Sequence, residues 1–254
     1  MKSISRELWI EIEKILPTKE TTVGRPEFDR YTAFLGMLYI LKNGSLWNAL
    51  PEKYGCSSTV HGKFMVWSRL GIFEKILKLA RKYYFQKHKY REWFAFDTLS
   101  KKAPFAKFAG KNPTDRAKQG VKQTVLVDKN GAPLFVNLAS ANTHDSQLLK
   151  STIHKLSRCK KPRVLAADSA FDAQFLYQIC MAKNIVLDVA TNVRRNKNKE
   201  KHIPANRWIV ERTFGWLSWF RGIKICWAKS KISHLSFLKL ACSIQLFKMA
   251  GIFG

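Results

Sequence analysis

The chain has 254 residues, of which 46 % are apolar and 13 % aromatic, so it can bury a full core and is not globally disordered. It carries 45 Lys and Arg against 18 Asp and Glu, which gives a formal net charge of +27 and a pI near 10.1. Such an excess favours a polyanionic partner, nucleic acid above all, because cations that neutralise phosphates release condensed counterions; the competing interpretations are an ordinary charged surface and attraction to a membrane.

The first region, residues 1–88, is predicted to be entirely helical. An amphipathic helix ends at Pro17, and Gly24-Arg25-Pro26 forms a loop after it. Asp29 can cap a second helix, which ends at Asn43-Gly44.

A helix-turn-helix is predicted next. A short helix over Leu46–Tyr54 is closed by Gly55, and a longer helix capped by Ser57 or Ser58 runs to about Leu70. The second helix of such a pair can enter the major groove of DNA. Its first polar residues would then be the contacts with bases or phosphates: Ser58, Thr59, His61 and Lys63. An ordinary helical hairpin in a bundle is the alternative.

The second region, residues 89–254, changes its apolar period to that of strands alternating with helices. Asn130-Gly131 is a strong hairpin signal, and a basic loop is expected over Arg194–Lys201. The predicted strands are Trp93–Asp97, Lys122–Asp128, Leu134–Leu138, Arg163–Asp168 and Ile185–Ala190, and the predicted helices begin near Asp145, Asp172 and Ala205. This order predicts a mixed sheet with helices packed on its faces, an α/β fold.

The apolar segments do not predict a membrane protein. Met1 to Leu16 is amphipathic rather than signal-like, and Tyr31–Leu41 is too short to span a bilayer. Lys239 and Lys248 interrupt the long C-terminal apolar run, which is therefore predicted to be a core-packed helix. The five cysteines contain no Cys-x-x-Cys pair, which fits a reducing cytoplasm.

Two acidic residues follow apolar strands. Asp97 and Asp168 each stand where a predicted strand ends, at the edge of an α/β sheet where ligands bind, and Glu211 on a later helix could close the site. Three converging carboxylates are costly unless a cation lies among them, and Mg²⁺ or Mn²⁺ prefers such oxygen ligands. Two such ions can support an in-line phosphoryl displacement. By spacing alone, a turn-forming or helix-capping aspartate and a solvated glutamate remain alternatives.

The residues around these acids resemble the DDE transposases of bacterial insertion sequences, of the insertion-sequence-five kind. The N-terminal likeness lies at Trp9, Leu16-Pro17, Gly24-Arg25-Pro26, Gly44, Trp47, Leu50-Pro51, Trp67 and Gly71. The segments Asp97–Pro104, Ala167–Asp172 and Arg207–Phe214 are similar to the stretches that bear the three acids, and Asn112–Arg116, Ala141–Asp145 and Leu240–Cys242 to other landmarks. Ser169, Ala170 and Phe171 stand where relatives usually carry Lys-Gly-Tyr.

The resemblance implies an RNase H-like mixed-sheet catalytic core over residues 89–254, preceded by an all-helical domain of helix-turn-helix type over residues 1–88. It implies that Asp97, Asp168 and Glu211 hold Mg²⁺ or Mn²⁺ for strand cleavage and strand transfer at terminal inverted repeats. For the third acid, the competing residues are Asp188, inside a predicted strand, and Glu200, in the basic loop.

Several basic residues are candidates for holding the DNA backbone. Arg207 lies one helical turn before Glu211, so the interpretations are a phosphate clamp and a simple salt bridge within the helix. Arg116, Lys118 and Lys122 are predicted to face DNA, although a solvated surface explains each of them nearly as well.

The favoured hypothesis is a transposase that acts on double-stranded element ends and target DNA, as a dimer or larger assembly, in the nucleoid region of a bacterial cytoplasm. A nuclease of the same core fold that only hydrolyses DNA is the rival enzyme. A catalytically inactive or repurposed transposase-derived DNA-binding protein is the rival from another class.

Overall fold

The computed structural model describes residues 4–18, 27–88, 92–156, 161–191, 202–204 and 206–252. The chain forms two compact units. The helical unit comprises Met1–Lys87, Phe105–Lys107 and Leu217–Gly254, and the sheet unit comprises His88–Pro104 and Phe108–Trp216. The predicted loop Gly24-Arg25-Pro26 and the predicted basic loop Arg194–Lys201, with Glu200, lie outside the described residues.

The first regular elements of the chain are helices, and strands begin at Trp93. The helices are α1 (Arg6–Glu13), α2 (Arg30–Asn43), α3 (Ser57–Arg69), α4 (Ile72–Lys87), α5 (Asp145–Lys155), α6 (Gln174–Met181), α7 (Trp208–Ser218) and α8 (Lys231–Ala250). The strands are β1 (Trp93–Lys102), β2 (Gly110–Lys111), β3 (Gln119–Asp128), β4 (Pro133–Ser140), β5 (Val164–Ala167) and β6 (Val186–Val189).

Helix α2 begins and ends as its sequence predicts. The Thr32 backbone N–H donates to Asp29 Oδ2 at 2.7 Å, which caps the first turn. At the other end Gly44 adopts φ +68° and donates its N–H to the Ile40 carbonyl. A Cβ at Gly44 would also lie 2.9 Å from Arg221, so both conformation and close packing require glycine there.

The prediction of a first helix for the helix-turn-helix, over Leu46–Tyr54, is wrong. Residues 46–54 form two separate 3₁₀ turns, Trp47–Ala49 and Glu52–Tyr54. Pro51 explains the interruption, because it lacks an N–H and its ring disfavours helical backbone at the residue before it. The α3 helix is present, but Cys56 is its N-terminal cap residue, so the predicted caps at Ser57 and Ser58 are wrong.

The C-terminal helix α8 belongs to the helical unit, whereas the sequence-based boundary assigned it to the catalytic region. Its apolar residues pack against α4, and Tyr83 meets Phe247 edge to face with ring centroids 6.3 Å apart. Lys239 Nζ lies 2.9 Å from Glu74 Oε2 across the same pair of helices. No helix in the described part of the chain is long and apolar enough to cross a membrane.

Within the part of the chain that the structure describes, six strands form one mixed sheet. Its order is β2-β3-β1-β5-β6, and β4 also pairs with β3. Strand β1 is antiparallel to β3 and parallel to β5, which is in turn parallel to β6. The mixed sheet with helices confirms the predicted α/β class.

Candidate active site

Asp97 lies within β1 rather than at its end, which corrects the prediction that the strand stops there. The strand continues to Lys102 because its whole length pairs with β3, whereas pairing with β5 stops at Ala95 opposite Ala166. Asp97 is therefore the second residue beyond that last pair. Its Oδ1 accepts the Thr98 N–H at 2.7 Å, and its side chain is only 19 % exposed.

Asp168 is the second residue beyond the same pair on the β5 side, so the two acids stand level on neighbouring strands. Its Oδ1 accepts the Ser169 N–H at 2.6 Å and caps the 3₁₀ turn Ser169–Phe171. Phe171 is buried in this turn and meets Phe96 edge to face with ring centroids 5.3 Å apart. The contact fixes the turn that carries Asp168 beside the strand that carries Asp97.

Glu211 reaches the site from α7. Val210, Phe214 and Leu217 are buried on one side of this helix, as their spacing predicts. Docking of that side fixes the rotation of the helix, and the Glu211 side chain stays 54 % exposed at its border.

The hairpin turn between β3 and β4 holds α7 in place. Gly131 adopts φ +81°, and its carbonyl accepts a hydrogen bond from Thr213 Oγ1 at 2.8 Å. Arg212 donates from Nη2 to the Asn130 carbonyl at 2.9 Å, with its guanidinium between the rings of Trp208 and Trp216. A Cβ on Gly131 would lie 2.9 Å from Thr213 Oγ1, so glycine is needed where the turn meets the helix.

The guanidinium of Arg207 lies among the three acids. Its Nη1 is 3.5 Å from Asp168 Oδ2 and 3.9 Å from Asp97 Oδ2, and its Nη2 is 3.0 Å from Glu211 Oε1. Each aspartate thus uses one oxygen for a backbone N–H and turns the other toward the cation. The structure brings together all three predicted acids and the predicted Arg207.

Burial raises the pKa of Asp97 to about 6. The Thr98 N–H and the Arg207 guanidinium oppose that rise, while the carboxylates of Asp168 and Glu211 add to it. A desolvated carboxylate beside two other carboxylates is stabilised by a cation, so this corner of the sheet selects for positive charge.

The donor set suits a hard divalent ion. Among the described residues, no three His, Cys, Asp or Glu side chains already have the spacing of a metal site, and the Arg207 guanidinium contacts all three of these carboxylates. Three carboxylate oxygens face the Arg207 guanidinium. Carboxylate oxygens are also the ligands that Mg²⁺ and Mn²⁺ prefer. The residues present therefore fit the metal implied by the sequence.

Two family models match successive parts of the chain. Residues 4–77 match "Putative transposase of IS4/5 family", and residues 84–246 match "Transposase DDE domain". The chain belongs to the DDE transposase family. The mixed sheet described above lies within the residues of this chain that match the DDE domain.

Curated relatives come from the same kind of element. The chain is 32 % identical over 143 residues to "Putative transposase for insertion sequence element IS402" of Burkholderia cepacia, a match covering 53 % of this chain and 66 % of the relative. It is 33 % identical over 82 residues to "Insertion element IS402 uncharacterized 16.2 kDa protein" of the same organism, covering 30 % and 56 %. The chain thus spans 66 % and 56 % of the lengths of these two relatives, less than two thirds of each.

Among solved structures, the catalytic domain of Mos1 mariner transposase is similar over 70 % of this chain and 93 % of that domain, at 11 % identity and a TM-score of 0.29. A score this low supports no conclusion about function.

The three basic residues predicted to face DNA have different surroundings in this DDE transposase chain. Arg116 and Lys118 are exposed in the loop before β3, where Arg116 has φ 49°. Lys122 is 12 % exposed, lies 3.0 Å from Asp145 Oδ1 and donates to the Thr143 carbonyl at 2.9 Å. Contact between Lys122 and DNA would therefore require it to leave a carboxylate.

The predicted DNA contacts of the helical unit lie on α3. Ser58 and Thr59 are exposed in its first turn. Lys63 lies one turn later, but its Nζ is 2.6 Å from Glu27 Oε1 and its side chain is only 17 % exposed. His61 is exposed and its ring lies 4.8 Å from that of Trp47. Ser58, Thr59 and His61 are thus more accessible than Lys63.

The two alternative candidates for the third acid, Asp188 and Glu200, are not found beside Arg207 among the described residues. Asp188 lies in β6, and its Oδ1 pairs with His202 Nε2. Glu200 is outside the described residues. Glu211, in contrast, lies beside the same guanidinium as Asp97 and Asp168.

Sequence reasoning missed the residues that position the site. Thr98 Oγ1 donates to Asp145 Oδ1 at 2.8 Å, which ties the start of α5 to the residue after Asp97. Thr213 is fully buried in the apolar side of α7 and bonds to the hairpin turn. The signal in the sequence was a threonine within an apolar stripe, where a hydroxyl needs a partner.

Proposed function

We propose that this chain is a transposase that cleaves DNA and transfers the cut strands at the terminal inverted repeats of an insertion sequence. The observation that carries the proposal is the convergence of Asp97, Asp168 and Glu211 on one cation at the edge of the sheet. The net charge of +27 supports a DNA partner, because phosphates must be held against a site that is itself acidic.

The three acids would bind a divalent metal from two sides. Asp97 lies in β1 and Asp168 directly follows the neighbouring strand β5, and the Oδ1 atoms of both accept backbone N–H groups. Glu211 is more exposed and approaches from the docked helix α7. When bound, Mg²⁺ or Mn²⁺ supplies a nucleophile at neutral pH and stabilises the charge of in-line phosphoryl transfer.

Arg207 has two successive roles in this proposal. In the metal-free chain its guanidinium offsets part of the charge of the three acids. With a divalent cation held by these carboxylates, the guanidinium would be free to donate hydrogen bonds to a DNA phosphate near the cleaved bond, a geometry for which arginine is well suited.

The partners follow from the same proposal. Ser58 and Thr59 on α3 would contact element-end DNA, with Lys63 beside them once it leaves Glu27, and Arg116, Lys118 and Lys122 would line the path of the backbone. Joining two ends requires a dimer or larger assembly in the complex. The chain would act on DNA in the nucleoid region of a bacterial cytoplasm.

The test uses purified protein and duplexes taken from the DNA that flanks the gene. We expect nicking and strand transfer with Mg²⁺ or Mn²⁺, and none in EDTA. Asp97→Asn and Asp168→Asn should abolish both reactions while keeping duplex affinity within about threefold, because neither change removes a basic residue.

The outcomes separate the alternatives. Cleavage without joining identifies a hydrolytic nuclease. Specific end binding with no metal-dependent cleavage by the unaltered chain identifies a repurposed DNA-binding protein. Full cleavage in EDTA contradicts the proposed chemistry.

A further inference from the structure

A cavity of about 640 Å³ lies in the helical unit, apart from the three acids. It is lined by residues from α2, α3 and α8, by residues 44–47, by Phe105 and by residues from the segment 222–230. Its size falls within the range of about 300–1,000 Å³ that is typical of ligand sites.

The walls of the cavity are aromatic. Phe64 and Phe237 stack with ring centroids 4.4 Å apart and an interplanar angle of 22°, and Trp47 stacks on Phe237 at 5.9 Å and 21°. Toward solvent, Phe105 and Trp227 face each other with centroids 5.8 Å apart, and their side chains remain 59 % and 51 % exposed. Large apolar rings left in water at the mouth of an apolar cavity mark a binding surface.

A polar atom in this cavity lacks a partner. Ser45 Oγ is buried, and nothing in the described part of the chain hydrogen-bonds to it. A buried hydroxyl without a partner is unfavourable, so a ligand that presents a donor or acceptor at its edge would satisfy it.

Lysines flank the exposed rings. The Lys107 N–H donates to the Lys229 carbonyl at 3.2 Å, so the segments that carry Phe105 and Trp227 run together and each bears an exposed lysine. Lys231 is exposed two residues further on. These cations would repel the same face of a second copy of this strongly basic chain, and they suit a ligand with negative charge outside the cavity.

We propose that this cavity binds an unpaired nucleobase of single-stranded DNA. A base has flat faces that stack on aromatic rings and polar edges that can meet Ser45, while its phosphates remain outside beside Lys107 and Lys229. The site shares with the proposed function only the assumption that the partner is DNA, because it uses none of the acids. Its role would be to hold a strand whose bases are unpaired.

The test measures binding of the full chain to a short single-stranded oligonucleotide containing 2-aminopurine, in EDTA to prevent cleavage. Stacking should quench the 2-aminopurine fluorescence. Trp227→Ala and Phe105→Ala should each weaken binding about tenfold, within the range for the loss of one base–aromatic stack. Trp219→Ala is the matched control, because Trp219 is 82 % exposed in the same unit and does not line the cavity; its affinity should stay within twofold.

A second variant examines the inner cavity. Ser45→Ala should reduce affinity a few fold and change the preference among oligonucleotides of a single base, without affecting the melting temperature by more than a few degrees. The salt dependence of binding should become shallower in Lys229→Ala, because one phosphate contact is removed.

Several results would overturn the proposal. One is 2-aminopurine fluorescence that is not quenched when the oligonucleotide is bound. Another is a Trp227→Ala variant whose affinity equals that of the unaltered chain. The third is a Trp219→Ala variant that loses as much affinity as Trp227→Ala does. If Trp227→Ala instead dissociates an oligomer in sedimentation while single-strand affinity is unchanged, the cavity is an interface between copies. Loss of metal-dependent cleavage with intact single-strand binding would contradict the proposed function alone.

Discussion

Replacing Asp97 with asparagine should make the metal-free protein more stable at neutral pH while it removes activity. The folded pKa of Asp97 is about 6, against an ordinary value of 3.8. The difference of about 2 units corresponds to roughly 3 kcal/mol at about 1.4 kcal/mol per unit.

The sign follows from proton binding. The folded state holds a proton on Asp97 more tightly than the unfolded chain does, so this residue favours folding below its unfolded pKa. That advantage is lost as the pH rises through the folded pKa near 6. Above that pH the desolvated carboxylate costs the folded state free energy. Asparagine keeps an oxygen that can accept the Thr98 N–H and has no charge to desolvate.

Urea unfolding in EDTA at two pH values measures the effect. At pH 7.5 we expect Asp97→Asn to raise the free energy of unfolding by about 1–3 kcal/mol, and at pH 4.5 by about a third of that. The control is Asp115→Asn, which removes a carboxylate from the loop before β3, outside the site, and is unfolded under the same conditions. With Mg²⁺ the order should reverse, since only the unaltered chain retains this ligand.

Lower stability of Asp97→Asn at pH 7.5, or a difference that does not change with pH, would refute the reasoning. Lower stability would mean that the Arg207 ion pair outweighs burial of the carboxylate, and a difference independent of pH would mean that the two effects cancel. A gain in stability together with unaltered cleavage would instead show that Asp97 is not a metal ligand.

Three further predictions concern the same site. Glu211→Gln should reduce metal-dependent cleavage about a hundredfold or more, while Asp188→Asn, whose carboxylate pairs with His202, should leave it within about threefold in initial-rate assays; equal losses would contradict the choice of third ligand. Arg207→Ala should bind Mn²⁺ about tenfold more tightly in calorimetry without DNA. The reason is that three partly exposed ion pairs of about 0.2–1 kcal/mol each no longer compete with the metal for the carboxylates. Weaker binding would mean that Arg207 mainly orients the acids. Gly131→Ala should lower stability by about 1–3 kcal/mol and reduce cleavage, because its φ of +81° and its contact with Thr213 both resist a Cβ; a fully stable and active variant would show that the turn does not position α7.

The sequence by itself determined what depends on neighbouring residues. The cap at Asp29, the left-handed Gly44, the Asn130-Gly131 turn and the apolar side of α7 follow from local chemistry. The acids were identified by the motifs around them, since spacing alone left a turn former and a solvated glutamate as alternatives. Such features require no knowledge of which distant segments meet.

Only the tertiary structure decided how far Asp97 lies from a strand end, because the length of β1 is set by pairing with β3, about 25 residues later in the chain. The same holds for α8, whose apolar residues are compatible with any core and pack on α4 only because that surface is open to them. Lys122 and Arg207 were both predicted to hold the DNA backbone. In the structure, Lys122 pairs with Asp145, whereas Arg207 lies among three carboxylates. Long-range contacts of this kind combine strand register, helix rotation and charge pairing, and no local pattern specifies all three together.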